Sequence, residues 1–162
     1  MYAADGFAIV SFSWAILSLT GALPFYLSGQ IPSFIDSFFE TVSGFTTTGA
    51  SVLSDVEALD QCMLFWRSFS QWIGGLGIVF FTIAVLPIFG VGNQVLFSAE
   101  ATGVTHDKIH PKISVMAQCL WTVYLVLTVA EIVLLLIGGM DLFDAACHAF
   151  STTATGGYST KQ

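Results

Sequence analysis

The stretch "GFTTTGAS", residues 44–51, places three consecutive threonines and a glycine in a chain that is otherwise rich in Phe, Leu, Ile and Val. It follows "SFIDSFFETVSGF", residues 33–45, where Pro32 and Ser33 are typical of the start of a helix. A helix of this length spans roughly 18 Å, about half of a bilayer core. Because charge reappears only at Asp55, the pattern predicts a chain that enters a membrane halfway and returns as irregular backbone, a re-entrant loop.

The composition places the whole chain in a lipid bilayer. Of its 162 residues, 55% are hydrophobic and 9% are charged, and the mean hydropathy is +0.81. A soluble domain is far less apolar and carries far more charge. The formal net charge of −7 and the lack of any basic stripe exclude nucleic acid as a partner and favour cations.

Three segments are long and apolar enough to cross the membrane. They cover residues 7–27, 63–89 and 114–138, and each ends at proline or glycine. Three such segments in so short a chain leave too little polar surface to cover them in a soluble protein. The sequence therefore predicts an all-α membrane protein with three transmembrane helices.

The threonine-rich stretch supplies oxygen atoms at membrane depth. Irregular backbone cannot face lipid, because each unpaired amide or carbonyl there costs several kcal/mol, so it must line a path for water or ions. The hydroxyls and carbonyls of Thr46, Thr47 and Thr48 are suited to a hard cation, and Gly49 permits backbone angles closed to other residues. Taken alone, the same stretch also fits a threonine-rich extracellular turn.

A second copy of the pattern favours the ion path. After the third apolar segment comes "MDLFDAACHAFSTTATGGYST", residues 140–160, again an acidic helix start followed by Thr and Gly. "TTGAS" at 47–51 aligns with "TGGYS" at 155–159. The pattern indicates an internal duplication of span, half-length pore helix, filter loop and span. We divide the chain into a first repeat (1–89), a linker (90–113) and a second repeat that ends after its loop (114–162).

The distribution of charge predicts the topology. The linker 90–113 holds Lys108 and Lys112, two of the four basic residues, so the positive-inside rule places it in the cytoplasm. Both loops then open to the outside, where acidic residues concentrate cations. These acids are Asp36, Glu40, Asp55, Glu57, Asp60, Asp141 and Asp144. Arg67 opposes the trend, and we expect it to pair with one of these acids or with a pore-helix carbonyl.

Four stretches resemble one known family. They are "DGFAIVSFSWAILSLTGALPF", "DSFFETVSGFTTTGAS", "LFWRSFSQWIGGLGIVFFTIAVLP" and "DLFDAACHAFSTTATGGYST". Together they resemble the Trk/Ktr/HKT superfamily of potassium transporters, most closely its bacterial TrkH/TrkG branch. The resemblance implies four repeats around one pore, of which this chain matches the first and the second as far as its filter.

The resemblance also implies a site and partners. Backbone carbonyls of the two filter loops would replace the hydration shell of K⁺. By resemblance, the potassium-binding positions are Thr46, Thr47, Thr48, Gly49, Ala154, Thr155, Gly156 and Gly157. Either Gly156 or Gly157 is the counterpart of Gly49, and the T-x-G-x-S match favours Gly157. The family implies potassium uptake across the inner membrane by a multi-pass pore subunit, a cytoplasmic TrkA-type nucleotide-binding partner, a homodimer, and no cofactor.

A rival hypothesis comes from "HDKIH", residues 106–110. Its two histidines, His106 and His110, echo the H-E-x-x-H of zinc metalloproteases. Asp107 stands in place of the glutamate, Pro111 follows at once, and no third ligand is evident. We therefore expect a solvated linker, and no enzyme.

Three further features have structural interpretations. "WIGGLGI", residues 72–78, predicts a helix surface on which Gly74, Gly75 and Gly77 allow close backbone approach. Glu131 is an acid at membrane depth, for which we expect a protein partner. His148 is expected to pack or hydrogen-bond behind the second filter loop.

Overall fold

Within residues 3–85 and 113–161, which the computed structural model describes, the chain is helical and forms no strand. Its helices are α1 (Ala3–Leu27), α2 (Phe34–Phe45), α3 (Gln61–Val85), α4 (Ile113–Ile137) and α5 (Leu142–Thr153). The three long helices correspond to the three predicted apolar segments, and the two short ones to the predicted half-length helices.

The long helices contain 25 residues each, or roughly 37 Å at 1.5 Å per residue. Two of them are long and apolar enough to cross a membrane, at Ala8–Leu27 in α1 and Ala117–Ile137 in α4. The predicted end of the second segment at residue 89, most of the linker 90–113, and His106 and His110 lie outside the described residues.

The third long helix, α3, is more polar than the other two for a structural reason. Its consecutive turns bury Arg67, Ser68, Ser70 and Gln71, with exposures of 3% or less. Because α3 packs against both short helices, Arg67 donates to Glu40 of α2 and the Gln71 Oε1 accepts from Ser151 of α5. The Gln71 Nε2 is buried without a hydrogen-bond partner among the described residues. A polar face directed inward thus lowers the hydropathy of α3.

The two short helices, α2 and α5, begin in the same way. The Ser33 side chain accepts a hydrogen bond from the Asp36 N–H at 3.3 Å, and the Asp141 carboxylate accepts one from the Phe143 N–H at 3.2 Å. Each cap satisfies a helix N–H that has no partner within the helix. Both helices contain 12 residues.

The surface reverses the pattern of a soluble protein. Large apolar side chains are exposed along α1 and α4, such as Phe12 at 69% and Leu134 at 67%. Polar side chains are buried instead, with Ser37, Thr41 and Gln71 at 0%. Helices that associate in lipid use small residues and hydrogen bonds at their contacts, because burying apolar groups gives no advantage there.

Glycines of α3 allow the ends of the short helices to pack closely against it, and a tryptophan side chain forms a hydrogen bond between α3 and α4. A Cβ built on Gly74 would overlap the carbonyl oxygen of Phe45, and one on Gly75 would lie 3.1 Å from the Ala154 Cα. Nearby, the Trp72 Nε1 donates to the Thr128 Oγ1 at 3.0 Å. The predicted close backbone approach is confirmed for Gly74 and Gly75, at the ends of the two short helices, whereas Gly77 faces the Trp14 side chain.

Candidate functional site

The first loop, residues 46–52, begins with a Schellman motif that closes α2. The Thr47 N–H donates to the Gly44 carbonyl at 3.0 Å, and the Thr48 N–H donates to the Ser43 carbonyl at 2.9 Å. Such a motif satisfies helix carbonyls that have no partner within the helix. It requires a left-handed residue just past the helix, and Thr47 has φ 55°.

The second loop, residues 154–160, repeats this motif with the same hydrogen bonds. The Thr155 N–H donates to the Thr152 carbonyl and the Gly156 N–H to the Ser151 carbonyl, both at 2.8 Å. Thr155 has φ 57°, so it is the counterpart of Thr47. Each residue in the first loop therefore corresponds to the residue 108 positions later, the separation between Ala50 and Tyr158.

The backbone angles also decide between the two possible counterparts of Gly49. Gly49 has φ 75° and Gly157 has φ 84°, whereas Gly156 is not in the positive-φ region. The register favoured by the T-x-G-x-S match therefore agrees with the backbone geometry.

Threonine in a left-handed conformation was not expected from the sequence. Schellman motifs usually place glycine at this position, and a β-branched residue with positive φ is an outlier of the kind that concentrates at functional sites. Thr47 and Thr155 both adopt it. The residue type does not predict this angle, because threonine is not the residue that a Schellman motif usually takes there.

Replacing Thr47 with glycine tests this strain. A left-handed angle costs an L-residue roughly 1–2 kcal/mol, so we expect Thr47→Gly to raise the melting temperature of the purified protein in detergent. The looser loop should at the same time discriminate less well between ions. Thr46, with φ −80° and ψ 1°, provides the control, since Thr46→Gly relieves no strain and should lower the melting temperature. A lower melting temperature for Thr47→Gly would contradict the expectation.

The backbone carbonyl oxygens at the predicted filter positions, residues 46–49 and 154–157, accept no hydrogen bond in the described part of either loop. By contrast, the next carbonyl, that of Ala50, accepts from the Ser43 Oγ at 2.5 Å. The carbonyls at the predicted filter positions are therefore available to a cation, and the C-terminal ends of α2 and α5 add partial negative charge beside them.

The threonine hydroxyls of the first loop are less available than the sequence suggested. The Thr46 Oγ1 donates to the Val42 carbonyl at 2.8 Å and lies 2.8 Å from the Thr48 Oγ1. These bonds hold the side chains against the helix end. Carbonyls are thus the main oxygen ligands that this geometry offers.

The two loops meet at their glycines. A Cβ built on Gly49 would overlap the carbonyl oxygen of Gly156. Glycine is therefore required at position 49 for two reasons, its positive φ and the closeness of the other loop. The structure brings the two predicted groups of filter residues together at this contact.

Glu40 departs from the prediction that it is one of the outer acids that concentrate cations. It is 1% exposed and accepts from the Arg67 Nε at 2.6 Å. It also accepts from the Ser51 Oγ at 2.9 Å and from the Val52 N–H at 3.0 Å. The prediction that Glu40 lines an open mouth is therefore wrong, because Arg67 neutralises it inside the protein. The predicted pairing of Arg67 with an acid is confirmed.

The remaining predicted acids lie at the surface or near it. Among them, Asp144 forms an ion pair with Lys161 at 3.0 Å, and the hydrogen bond to this carboxylate raises the pKa of Lys161. Asp36, Asp55, Glu57, Asp60 and Asp141 are exposed.

Gln71 supports the second loop from behind, and the sequence analysis did not single it out. Its Oε1 accepts from the Ser151 Oγ at 2.8 Å and from the Tyr158 N–H at 3.2 Å. A Cβ built on Gly156 would overlap the Gln71 amide, so the small size of Gly156 makes room for it. The sequence signal that could have identified Gln71 is its polar side chain on a largely apolar helix.

Glu131 and His148, for which the sequence predicted structural roles, have different surroundings. Glu131 accepts a hydrogen bond from the Thr153 Oγ1 at 3.3 Å, so its expected protein partner lies at the end of α5. The His148 Nδ1 is buried without a hydrogen-bond partner among the described residues. The expectation that His148 packs behind the loop agrees with this burial.

Within the described residues, the fold is all-helical, and its two loops follow the same repeated pattern. A family model described as TrkH, cation transport protein, matches residues 1–162. The chain belongs to this TrkH family of cation transport proteins.

Individual relatives agree with this assignment. The chain is 46% identical over 159 residues to the Trk system potassium uptake protein TrkH of Escherichia coli K12, covering 96% of this chain and 33% of the relative. It is 42% identical to the Trk system potassium uptake protein TrkG of the same organism, with the same coverage. The crystal structure of the potassium transporter TrkH from Vibrio parahaemolyticus matches with a TM-score of 0.79 and 39% identity, over 99% of this chain and 31% of that one. The chain thus spans about a third of the length of these relatives.

Proposed function

We propose that this chain forms part of a potassium uptake pore in which the carbonyls of both loops coordinate K⁺. The observation that carries the proposal is the duplicated set of free carbonyls, at residues 46–49 and 154–157. A dehydrated monovalent cation needs several such oxygens from more than one direction. The relatives named as potassium uptake proteins support K⁺ as the ion.

The proposed arrangement has three spanning helices, α1, α3 and α4, and two re-entrant units in which α2 and α5 lead into the loops. The apolar outer surfaces of α1 and α4 support a position in lipid, and the polar side of α3 supports a place near the pore. The family implies a cell inner membrane, and the charge pattern supports a cytoplasmic position for the linker 90–113.

The proposed partners follow from the family. A TrkA-type nucleotide-binding subunit would contact the cytoplasmic linker, and two copies of the protein at its natural length would form a homodimer. The transport cycle proposed here uses carbonyl ligands alone and requires no cofactor.

Growth of cells that lack their own potassium uptake tests the function. With the protein expressed at its natural length, we expect growth at micromolar to low millimolar K⁺ and uptake of K⁺ from the medium. The double variant His106→Ala/His110→Ala is expected to support the same growth as the parent protein. Its zinc content is expected to equal that of the parent. Absence of K⁺ uptake despite normal amounts of protein in the membrane would refute the proposal.

No observation favours the zinc metalloprotease. The two histidines lie outside the described residues, and the described ones contain no group of three or more His, Cys, Asp and Glu side chains suited to a metal ion. Zinc bound in proportion to protein, and lost in the double variant, would revive that hypothesis.

A further inference from the structure

Three buried side chains connect the two loops, and we call them the inter-loop cluster: Glu40 of α2, Arg67 of α3 and Tyr158 of the second loop. Besides its ion pair with Glu40, Arg67 donates from Nη1 to the Ser159 carbonyl at 3.0 Å. Its guanidinium carbon lies 3.6 Å from the centre of the Tyr158 ring. Arg67 therefore contacts the first repeat through the Glu40 carboxylate. It contacts the second loop through the Ser159 carbonyl and the face of the Tyr158 ring.

Tyr158, in the second loop, also contacts the first repeat. It is 3% exposed, and its hydroxyl donates to the Glu40 carbonyl at 2.8 Å and lies 3.3 Å from the Ala50 carbonyl. Tyr158 directly follows Gly157, and Ala50 directly follows Gly49. The cluster thus ties together the residues next to the two corresponding glycines.

The second repeat shows that the cluster is not needed to shape a single loop. With the shift of 108 residues, His148 occupies the position of Glu40, and the first loop has Ala50 where the second has Tyr158. Both loops nevertheless form the same Schellman hydrogen bonds and similar positive φ angles. The inter-loop cluster therefore connects the two loops and is not required for the shape of either one.

Burial of the ion pair supports a positioning role. The side chains of Arg67 and Glu40 are 4% and 0% exposed, and removing two charges from water is costly even when they pair well. An apolar pair would pack there at less cost, whereas charge-assisted hydrogen bonds fix direction and distance. Both the cavity size and the number of coordinating carbonyls are used to explain discrimination between K⁺ and Na⁺, and the separation of the loops changes both.

We propose that the inter-loop cluster sets the separation of the two loops and thereby the preference for K⁺ over Na⁺. This inference rests on the proposed function. Glu40, Arg67 and Tyr158 are positioning residues, since they act through the carbonyls of the loops.

Ion competition in uptake tests the inference. In the protein at its natural length, initial rates of K⁺ uptake would be measured with and without excess Na⁺, together with direct Na⁺ uptake and the amount of protein in the membrane. For Arg67→Gln and Tyr158→Phe we expect the ratio of K⁺ to Na⁺ uptake to fall by roughly tenfold and threefold, and the KM for K⁺ to rise. Arg67→Lys keeps the charge without the planar fork, so it should restore the ratio only in part.

A matched control is the ion pair of Lys161 with Asp144, which lies in the second repeat. Lys161 also carries a positive charge at the end of the second loop, but its side chain is 65% exposed, and exposed pairs contribute little. Lys161→Gln is therefore expected to keep the ratio of the parent protein. A lower ratio in Lys161→Gln equal to that in Arg67→Gln would show a general charge effect and overturn the inference.

The remaining outcomes separate the inference from the proposed function. If Tyr158→Phe and Arg67→Gln keep the parent ratio and lose uptake only in proportion to protein in the membrane, the cluster is merely structural and the inference is wrong. If Arg67→Gln does not reach the membrane, Tyr158→Phe decides, because it keeps the aromatic ring beneath the guanidinium. A parent protein that takes up no K⁺ overturns the proposed function and this inference with it.

Discussion

Gly49→Ala is expected to reduce K⁺ uptake by roughly tenfold or more and to weaken the preference for K⁺ over Na⁺. Two costs combine at this position. Alanine at φ 75° is strained by roughly 1–2 kcal/mol, and its Cβ would overlap the Gly156 carbonyl oxygen. The Gly156 peptide must then turn or the loops must separate, and either change removes a carbonyl from its place. Initial rates of K⁺ and Na⁺ uptake, divided by the amount of protein in the membrane, measure the effect.

Gly29 provides the matched control for Gly49. It has a similar angle, φ 73°, but nothing in the described structure lies within 4 Å of a Cβ built on it. Gly29→Ala therefore carries the strain without the overlap, and we expect a small loss of stability with unchanged ion preference. Equal effects of the two substitutions on ion preference would show that backbone strain alone explains the Gly49 result.

Gly74→Ala is expected to give the largest loss of stability. A Cβ built on Gly74 would overlap the Phe45 carbonyl oxygen and lie 2.7 Å from the Phe45 carbonyl carbon. These are backbone atoms at the end of α2, so no side-chain rotation relieves the contact and α3 must move away. Overpacking of this kind typically costs about 1–3 kcal/mol or more. We expect a melting temperature in detergent that is lower by several degrees, and reduced uptake because α3 also supports the second loop through Gln71.

Gly77 lies one turn further along α3 and tests the specificity of this result. Among the described residues, a Cβ on Gly77 would meet only the Trp14 ring, at 3.4 Å, which is close to ordinary contact and involves a side chain that can adjust. Gly77→Ala is expected to leave the melting temperature nearly unchanged, or to raise it slightly because alanine favours a helix. A large loss in Gly77→Ala would mean that any side chain on this surface is harmful, and the argument from Phe45 would fail.

Much of the architecture was predictable because its signals are local. Apolar segments of span length and the capping Ser33 predicted the described helix ends to within a few residues, whereas Pro24, predicted to help close the first segment, lies inside α1. The internal repeat was visible as two copies of a Thr and Gly pattern, and the match of "TTGAS" to "TGGYS" agreed with the backbone angles of Gly49 and Gly157. Each of these signals lies within a few neighbouring residues, which is the range over which capping and turn preferences act.

The sequence by itself determined the helices, their order and the residues of the two loops, because these follow from hydrophobic length and from capping and glycine preferences. Only the tertiary structure decided that Glu40 is buried with Arg67, that Tyr158 reaches across to the first repeat, and that threonines hold the left-handed positions. The first two of these features join residues 27 and 118 positions apart, and a contact between distant segments leaves no local pattern. Glu40, which the sequence pattern placed among the outer acids, is buried beside Arg67 because the folded chain packs other segments around it.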